Sequence, residues 1–349
     1  MSASMQAAVL YGREDVRVEK VPVPEIGAGE ILVRVRAALT CGTDVKVYRR
    51  GYHARMIQPP ALFGHELAGD IVALGENVHN FEVGQRVVAA NSAPCGECFF
   101  CLKDQPNLCE NLLFNNGAYA EYIRIPERIV QKNTYPIPDH LDYRDAALAE
   151  PLACAVRGLD ESNLKAGDSL AVLGLGPIGL MFVRLAKYAY GARIIGIARR
   201  LEQLDRAMTL GADKGILMGK DEAALSAELK KSTGGHGPDV LIEATGHPHS
   251  WKLATQLVRK GGTINFFGGC PAGTTVELDT ALLHYSEITC KATFHHTPHH
   301  IRRALGFIAD GSVTAQHLVN HEEPLAHLPQ VLAELAHRQN GHIKTAIIP

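Results

Sequence analysis

The sequence predicts an α/β protein: a doubly wound parallel sheet inserted into a β-rich body. Three observations lead there. From about residue 155 the apolar runs SLAVLG, ARIIGIA, KGILMG, DVLIEATG, GTINFFGG and EITCKATF alternate with helical patterns such as HSWKLATQLVRKG. The first run leads straight into a G-x-G-x-x-G turn followed by a helical pattern. Upstream, residues 6–150 are rich in Val, Gly and Pro, with short alternating strands such as ILVRVRA, DIVALG and QRVVAAN. After residue 292 a helical segment, HHIRRALGFIADGSV, and the closing GHIKTAIIP read as a return to the first domain. The expected division is 1–154, 155–291 and 292–349, with the sheet domain inserted into the other.

Composition narrows the function. A chain of 349 residues forms two ordinary hydrophobic cores without covalent staples. Its net charge of −2, with mixed signs throughout, lacks the electrostatic footprint of a nucleic-acid or anionic-membrane binder. The segment MSASMQAAVLYGRED has no basic-then-apolar leader pattern, and no run approaches the ~18 apolar residues of a membrane span. No heptad array or internal repeat is present. The expectation is a cytoplasmic enzyme with small-molecule partners.

Four of the eight cysteines fall in CGECFFCLKDQPNLC. In a reducing compartment structural disulfides are rare, so close spacing points to metal. Cys95, Cys98, Cys101 and Cys109 form a C-x2-C-x2-C-x7-C loop punctuated by Pro94, Gly96 and Pro106, suited to a closed tetrahedral zinc site. The two-residue spacings alone also fit an iron–sulfur cluster. Cys154, Cys270 and Cys290 lie among apolar neighbours and read as small core residues.

A different donor set is scattered: Cys41 in TCGTD, His65 and Glu66 in FGHELAG, and Glu150 in LAEPLACA just ahead of a predicted helix. One thiolate, one imidazole and carboxylates form the mixed set of a catalytic zinc that keeps room for substrate. Gly42 and Gly64 would allow close backbone approach there. Thr43, two residues after Cys41, either accepts a proton from a metal-bound alcohol or is an ordinary turn hydroxyl.

Within LAVLGLGPIGLMFVRLAKYAYGA, Gly174, Gly176 and Gly179 lie between strand and helix, with Pro177 and Ile178 in the turn, so the helix N-terminus can face a pyrophosphate. The next strand ends in Ile197, Ala198, Arg199, Arg200, where an acidic residue would otherwise bond the ribose hydroxyls. Two guanidinium groups there either favour NADP(H) over NAD(H) by gripping a 2′-phosphate or are solvated first-turn residues of the following helix. Thr245 and Gly246 end one strand, and Gly268 and Gly269 end the next, at the edge where cofactors sit in such sheets.

This order of motifs (CGTD, GHE, the four-cysteine lobe, EPL and GLGPIG) resembles the zinc-containing alcohol and polyol dehydrogenases of the medium-chain dehydrogenase/reductase superfamily over nearly the whole chain. The resemblance implies a chaperonin-10-like catalytic domain, a Rossmann domain and an active site in the cleft between them. It further implies Cys41, His65 and Glu66 as catalytic zinc ligands, with Glu150 as a nearby or exchanging fourth. Cys95, Cys98, Cys101 and Cys109 match the structural zinc lobe, giving two zinc ions per chain and disfavouring the iron–sulfur alternative. Thr43 would relay the proton, and Lys46 stands where relatives often carry a relay histidine. Lys344 resembles the family's basic residue near the cofactor phosphates. Glu66 with Glu150 looks more like the sorbitol and threonine dehydrogenase branches than the ethanol-oxidising one. Tyr48, His295 and His296 are candidate substrate contacts, whereas His299 and His300 read either as the first turn of a helix or, with His295 and His296, as a third metal site. A homotetramer or dimer is implied, with GTINFFGG and EITCKATF as a possible edge. The expected reaction is hydride transfer between a secondary alcohol in a polyol, sugar or cyclitol and a nicotinamide cofactor, a threonine-type or other alcohol dehydrogenase being the alternative and a non-catalytic cofactor binder a third.

Overall fold

In a computed structural model, residues 3–53, 55–337 and 343–349 are described. The chain divides after Ala153 and again before His296: the outer segments form one compact unit and Cys154–His295 the other.

The first unit is β-rich. Its larger sheet runs in the order Thr134–Pro136, Arg86–Ala89, Glu66–Leu74, Ile31–Leu39, Thr345–Ile348, His321–Pro324, with Tyr122–Ile125 also pairing to Ile31–Leu39. The alternation in ILVRVRA has the expected effect: Ile31, Val33 and Val35 point into the core, whereas Arg34 and Arg36 are exposed. Leu10, Phe63, Ile71, Tyr119 and Ile347 complete that core, each large side chain contributing about 1.5–3 kcal/mol by leaving water. The strand near the C-terminus pairs antiparallel with Ile31–Leu39, placing Ala346 opposite Leu39. Helix Leu328–His337 buries Leu328, Val331, Leu332 and Ala336, one helical stripe, and packs on helix Gly42–Arg50. The returning chain thus braces the segment that follows Cys41.

The second unit is one parallel sheet of six strands in the order Lys214–Leu217, Arg193–Ala198, Ser169–Leu173, Val240–Glu243, Thr263–Phe266, Thr289–Ala292. These are the six apolar runs read from the sequence, in the 3-2-1-4-5-6 order of a doubly wound sheet. Ser169–Leu173, at the centre, is buried at every position, as a strand covered on both faces must be. Thr289–Ala292, at the edge, is exposed at every position. Cys290 is therefore not the core residue its neighbours suggested: it lies on an edge strand whose four residues are all exposed. Cys154 and Cys270 are half-buried. No helix among the described residues is long and apolar enough to cross a membrane.

Candidate active site

Strand register assembles the first cluster. Glu66 and Ala346 both pair with Leu39, from opposite sides, so Thr40, Cys41, Glu66 and Lys344 lie at adjoining strand ends. Cys41 caps helix Gly42–Arg50: its Sγ accepts the Thr43 N–H at 3.4 Å, and Asp44 Oδ2 accepts the Cys41 N–H at 2.9 Å. A capping box usually built from Ser or Thr is built here around a thiol. The Cys41 sulfur, a His65 ring nitrogen and a Glu66 carboxylate oxygen lie within 4.8 Å of one another. His65 Nδ1 is 3.1 Å from Asp44 Oδ1, which leaves Nε2 as the ring's ligand atom.

The electrostatics call for a cation. Burial works against charge on His65, but Asp44 and Cys41 outweigh it and hold the imidazole well above its ordinary pKa. Glu66 is fully buried: Oε2 accepts from Lys344 Nζ at 2.5 Å, while Oε1 has no hydrogen-bond partner among the described residues. A buried, unpartnered carboxylate oxygen is costly unless something positive faces it. The thiolate, imidazole and carboxylate donors fit zinc.

Glu150 lies inside the first turn of helix Ala149–Glu161 rather than ahead of it; Pro151 is tolerated there because first-turn N–H groups have no helical partner. Burial pushes its carboxyl up to about 7, with His65 pulling it down and Glu66 pushing it further up. His296 is 2 % exposed; its Nε2 is 3.1 Å from Asn91 Oδ1 and 3.6 Å from Glu150 Oε1.

Other sequence-derived candidates separate. Thr43 is half-buried and Lys46 is exposed on the outer face of the same helix. Tyr48 lies on the other side of that helix: Asp44, Val47 and Tyr48 share the inner face, and the Tyr48 ring packs against the core. Lys344 is tied to the cluster: its ammonium is fully buried, donating to Glu66 and, at 2.7 Å, to the Thr40 carbonyl, so it serves as counter-ion to Glu66. Gly64 is required by its φ of 89° and by the Tyr119 ring, 2.5 Å from where a Cβ would stand, whereas Gly42 meets no such constraint. His299 and His300 fall in the first turn of helix Pro298–Ala309.

In the four-cysteine lobe the sulfurs of Cys98 and Cys101, and of Cys95 and Cys109, are 3.5 Å apart, Cys98–Cys109 3.8 Å and Cys95–Cys101 3.9 Å. A tetrahedron with metal–sulfur arms of ~2.3 Å has edges of about 3.8 Å, so the spacing suits one zinc and leaves no room for a multi-iron cluster. The thiols are not equivalent. Backbone N–H groups of Glu97 and Cys98 pull Cys95 down to about 6, and burial pushes Cys101 up to about 12. Gathering four thiolates here takes a cation.

In the second unit Gly174 follows its strand with φ 101°, and Gly176 caps helix Pro177–Tyr190 with Pro177 at the first position and Ile178 next. A side chain at Gly179 would strike the Gly174 carbonyl at 2.0 Å, so helix and turn meet only through glycine. Ala198 ends its strand, and Arg199 and Arg200 beyond it are exposed. Thr245 with Gly246, and Gly268 with Gly269, follow the two neighbouring strands at the same C-terminal edge. His295 adopts a left-handed backbone, φ 67°, and stacks on Phe294.

Two family models match the chain: the alcohol dehydrogenase GroES-like domain over residues 27–139 and the zinc-binding dehydrogenase domain over residues 177–310. A sorbitol dehydrogenase from Bacillus subtilis (strain 168) is 32% identical, the match covering 99% of this chain and 98% of that protein. The chain belongs to the zinc-binding dehydrogenases. An L-threonine 3-dehydrogenase from Bacillus licheniformis is 30% identical over 100% of both chains. A crystal structure of a zinc-binding dehydrogenase from Sinorhizobium meliloti 1021, bound to NADP, superposes with a TM-score of 0.90 at 31% identity, covering 100% of both chains. As a zinc-binding dehydrogenase the protein is an oxidoreductase that uses zinc and a nicotinamide cofactor.

Within this dehydrogenase several residues escaped the sequence reading. Asp44 orients His65 and also accepts the Tyr119 hydroxyl at 2.6 Å. Its presence in CGTD was visible, but nothing in the spacing tied it to a histidine 21 residues on. Asn91 left no signal at all. Lys132, whose Nζ donates to the Cys95 carbonyl at 3.1 Å, ties down the start of the lobe from 37 residues away.

Proposed function

We propose that the protein transfers hydride between a secondary alcohol carbon of a polyhydroxylated substrate, such as a polyol, sugar or cyclitol, and NADP(H), with NAD(H) the weaker cofactor. The carrying observation is the convergence of Cys41, His65 and the unpartnered Glu66 oxygen within 4.8 Å. In this reading Cys41, His65 and Glu66 hold one zinc, with Glu150 a nearby or exchanging fourth ligand, and Cys95, Cys98, Cys101 and Cys109 hold a second. Zinc held by these residues would supply polarisation of an alcohol oxygen, and a nicotinamide seated on the parallel sheet would supply the hydride acceptor. Thr43 accepts the alcohol proton, and Lys46 or water carries it outward. His296, fixed by Asn91 and beside Glu150, offers buried hydrogen bonds to substrate hydroxyls, the kind of group from which such pockets draw discrimination. His295 is the adjoining candidate.

Gly174, Gly176, Pro177, Ile178 and Gly179 would seat the pyrophosphate, and Thr245, Gly246, Gly268 and Gly269 the rest of the cofactor. What supports NADP(H) is the pair Arg199 and Arg200, exposed past Ala198, together with the NADP carried by a similar structure. The exposed edge strand Thr289–Ala292 supports a homo-oligomer formed by sheet extension, a dimer or tetramer acting in the cytoplasm. The threonine dehydrogenase relative keeps an amino-alcohol substrate as the second reading.

The test is initial rates of the zinc-loaded protein with polyols, cyclitols, sugars, threonine and simple alcohols, each with NADP+ and NAD+. A polyhydroxylated substrate with NADP+ should give the highest kcat/KM. The R199A/R200A variant should lose NADP+ affinity by about 1.5–3 kcal/mol per lost charged hydrogen bond, with NAD+ little changed. Preference for threonine or a simple alcohol overturns the substrate class, and equal loss for both cofactors overturns the arginine role.

A further inference from the structure

Glu243 ends the fourth strand of the parallel sheet in chain order and is fully buried. It pairs in register with Leu173 on one side and Phe266 on the other, so it lies between the strand that feeds Gly174 and the strand that feeds Gly268. No cation meets its carboxylate among the contacts of the described residues. Instead Oε1 accepts the Thr245 N–H at 2.8 Å and the Thr245 hydroxyl, and Oε2 accepts the Gly246 N–H at 3.2 Å. Its backbone carbonyl accepts the N–H groups of Phe267 at 3.0 Å and Gly268 at 2.8 Å. One residue therefore fixes two loops.

The loops interlock around it. A side chain at Gly268 would stand 2.2 Å from the Gly246 nitrogen and 2.7 Å from Glu243 Oε2, and one at Gly174 would stand 2.6 Å from Thr245 Cγ2. Trp251 closes the arrangement: its indole N–H donates to the Gly268 carbonyl at 2.9 Å, and its ring stacks on Phe266 with centroids 4.3 Å apart. A buried carboxylate solvated wholly by N–H and O–H donors gains its stability from their positions, so moving the loops unbinds it.

We propose that Glu243 is a positioning residue for cofactor binding: its carboxylate clamps the Thr245–Gly246 turn against Gly268 and holds the C-terminal edge of the sheet in its binding shape. The role rests on the cofactor seat proposed above. It differs from that of Arg199 and Arg200, because the clamp acts on the loops and carries no preference for the 2′-phosphate. Thr245 spends its hydroxyl proton on Glu243 and is left as an acceptor toward a ribose hydroxyl or a carboxamide.

The chain holds a single tryptophan, Trp251, which reports directly on this edge. Titrating wild type, E243Q and E243D with NADPH and with NADH, following Trp251 emission, gives dissociation constants beside kcat at saturating cofactor. E243Q puts an amide donor against an N–H and should weaken both cofactors alike by about tenfold, shift the Trp251 emission maximum, and leave kcat and zinc content near wild type. E243D, which keeps both acceptors, should fall between. Wild-type affinity in E243Q overturns the proposal, as does a loss confined to NADPH. If E243Q does not fold, amide exchange in the wild type decides: the Thr245 and Gly246 N–H groups should be protected before cofactor is added, and rapid exchange overturns the clamp. A wild type that turns over while NADPH leaves Trp251 emission unchanged refutes the cofactor seat itself, a result distinct from failure of the clamp.

Discussion

The two cysteine-bearing clusters of the β-rich unit are built on opposite plans. The lobe takes all four sulfurs from one loop, and its backbone N–H groups bond those same sulfurs: Cys98 to Cys95 at 3.3 Å, Gly96 to Cys101 at 3.4 Å and Cys95 to Cys109 at 3.2 Å. It is half-exposed and leaves Phe99 and Leu102 in solvent. The Cys41, His65 and Glu66 cluster joins two segments at a sheet end, its imidazole and carboxylate are buried, and a second layer of Asp44, Tyr119, Thr40 and Lys344 sets the orientation and charge of its donors. The difference fits the two roles proposed for these sites. A closed loop of soft donors needs only to be filled, whereas mixed donors that leave a position open must be held from behind.

The largest effect should come from emptying one site and then the other. C41A removes a donor from the distributed cluster; turnover should fall below detection, bound zinc should drop from two to one per chain, and NADPH should still alter Trp251 emission. C98S should also leave one zinc, yet its soluble fraction should keep a kcat near wild type. Losing several kcal/mol of metal-coupled folding, at about 2–4 °C per kcal/mol, should lower its Tm by on the order of 10 °C. An active C41A, or an inactive C98S of unchanged Tm, would exchange the two roles.

The same contrast explains what the sequence discloses. The lobe is legible because its four donors sit within fifteen positions, where spacing alone restricts geometry. The parallel sheet is legible because six buried or apolar runs leave little freedom in how they stack. The distributed cluster was legible only through its motifs, since no periodicity connects Cys41 to His65. Its second layer was not legible: Lys344 reaches Glu66 across 278 positions, through a strand pairing that local sequence does not encode. Tyr48 shows a related limit: the turn of the helix sends it inward with Asp44 and Val47, which its place in the chain does not disclose.

Lys344 gives the next sharpest test, because its two readings diverge. Among the described residues it is the partner of Glu66 Oε2, and its charge is held, against burial, by Glu66 and Cys41. K344M should strand that carboxylate, costing about 3–5 kcal/mol in urea unfolding and loosening zinc at this site but not in the lobe. K344R, which keeps the charge, should recover part of the loss. Were Lys344 a phosphate ligand instead, K344M would weaken NADPH and leave stability untouched.

The smallest effect, and the finest distinction, belongs to Asp44. Its Oδ1 faces His65 Nδ1, while Oδ2 accepts from both the Cys41 N–H and the Tyr119 hydroxyl. In D44N one of these faces becomes an amide donor. If it is the His65 face, the ring must turn its N–H elsewhere and present the wrong nitrogen to the metal. If it is the Cys41 face, the capping box opens and the thiol shifts. Either way the donors of the cluster stay in place chemically and are lost geometrically, so zinc affinity at this site should fall by about 10–100-fold. Among the described residues the contacts of Asp44 run to Cys41, His65 and Tyr119, so the four-cysteine site should not respond. Competition with a graded chelator, reading zinc released per chain, separates the two: one zinc should leave early and the other on the wild-type schedule. Release of both together would mean that Asp44 supports the fold of the unit as a whole, and release on the wild-type schedule would mean that the second layer does not tune the metal.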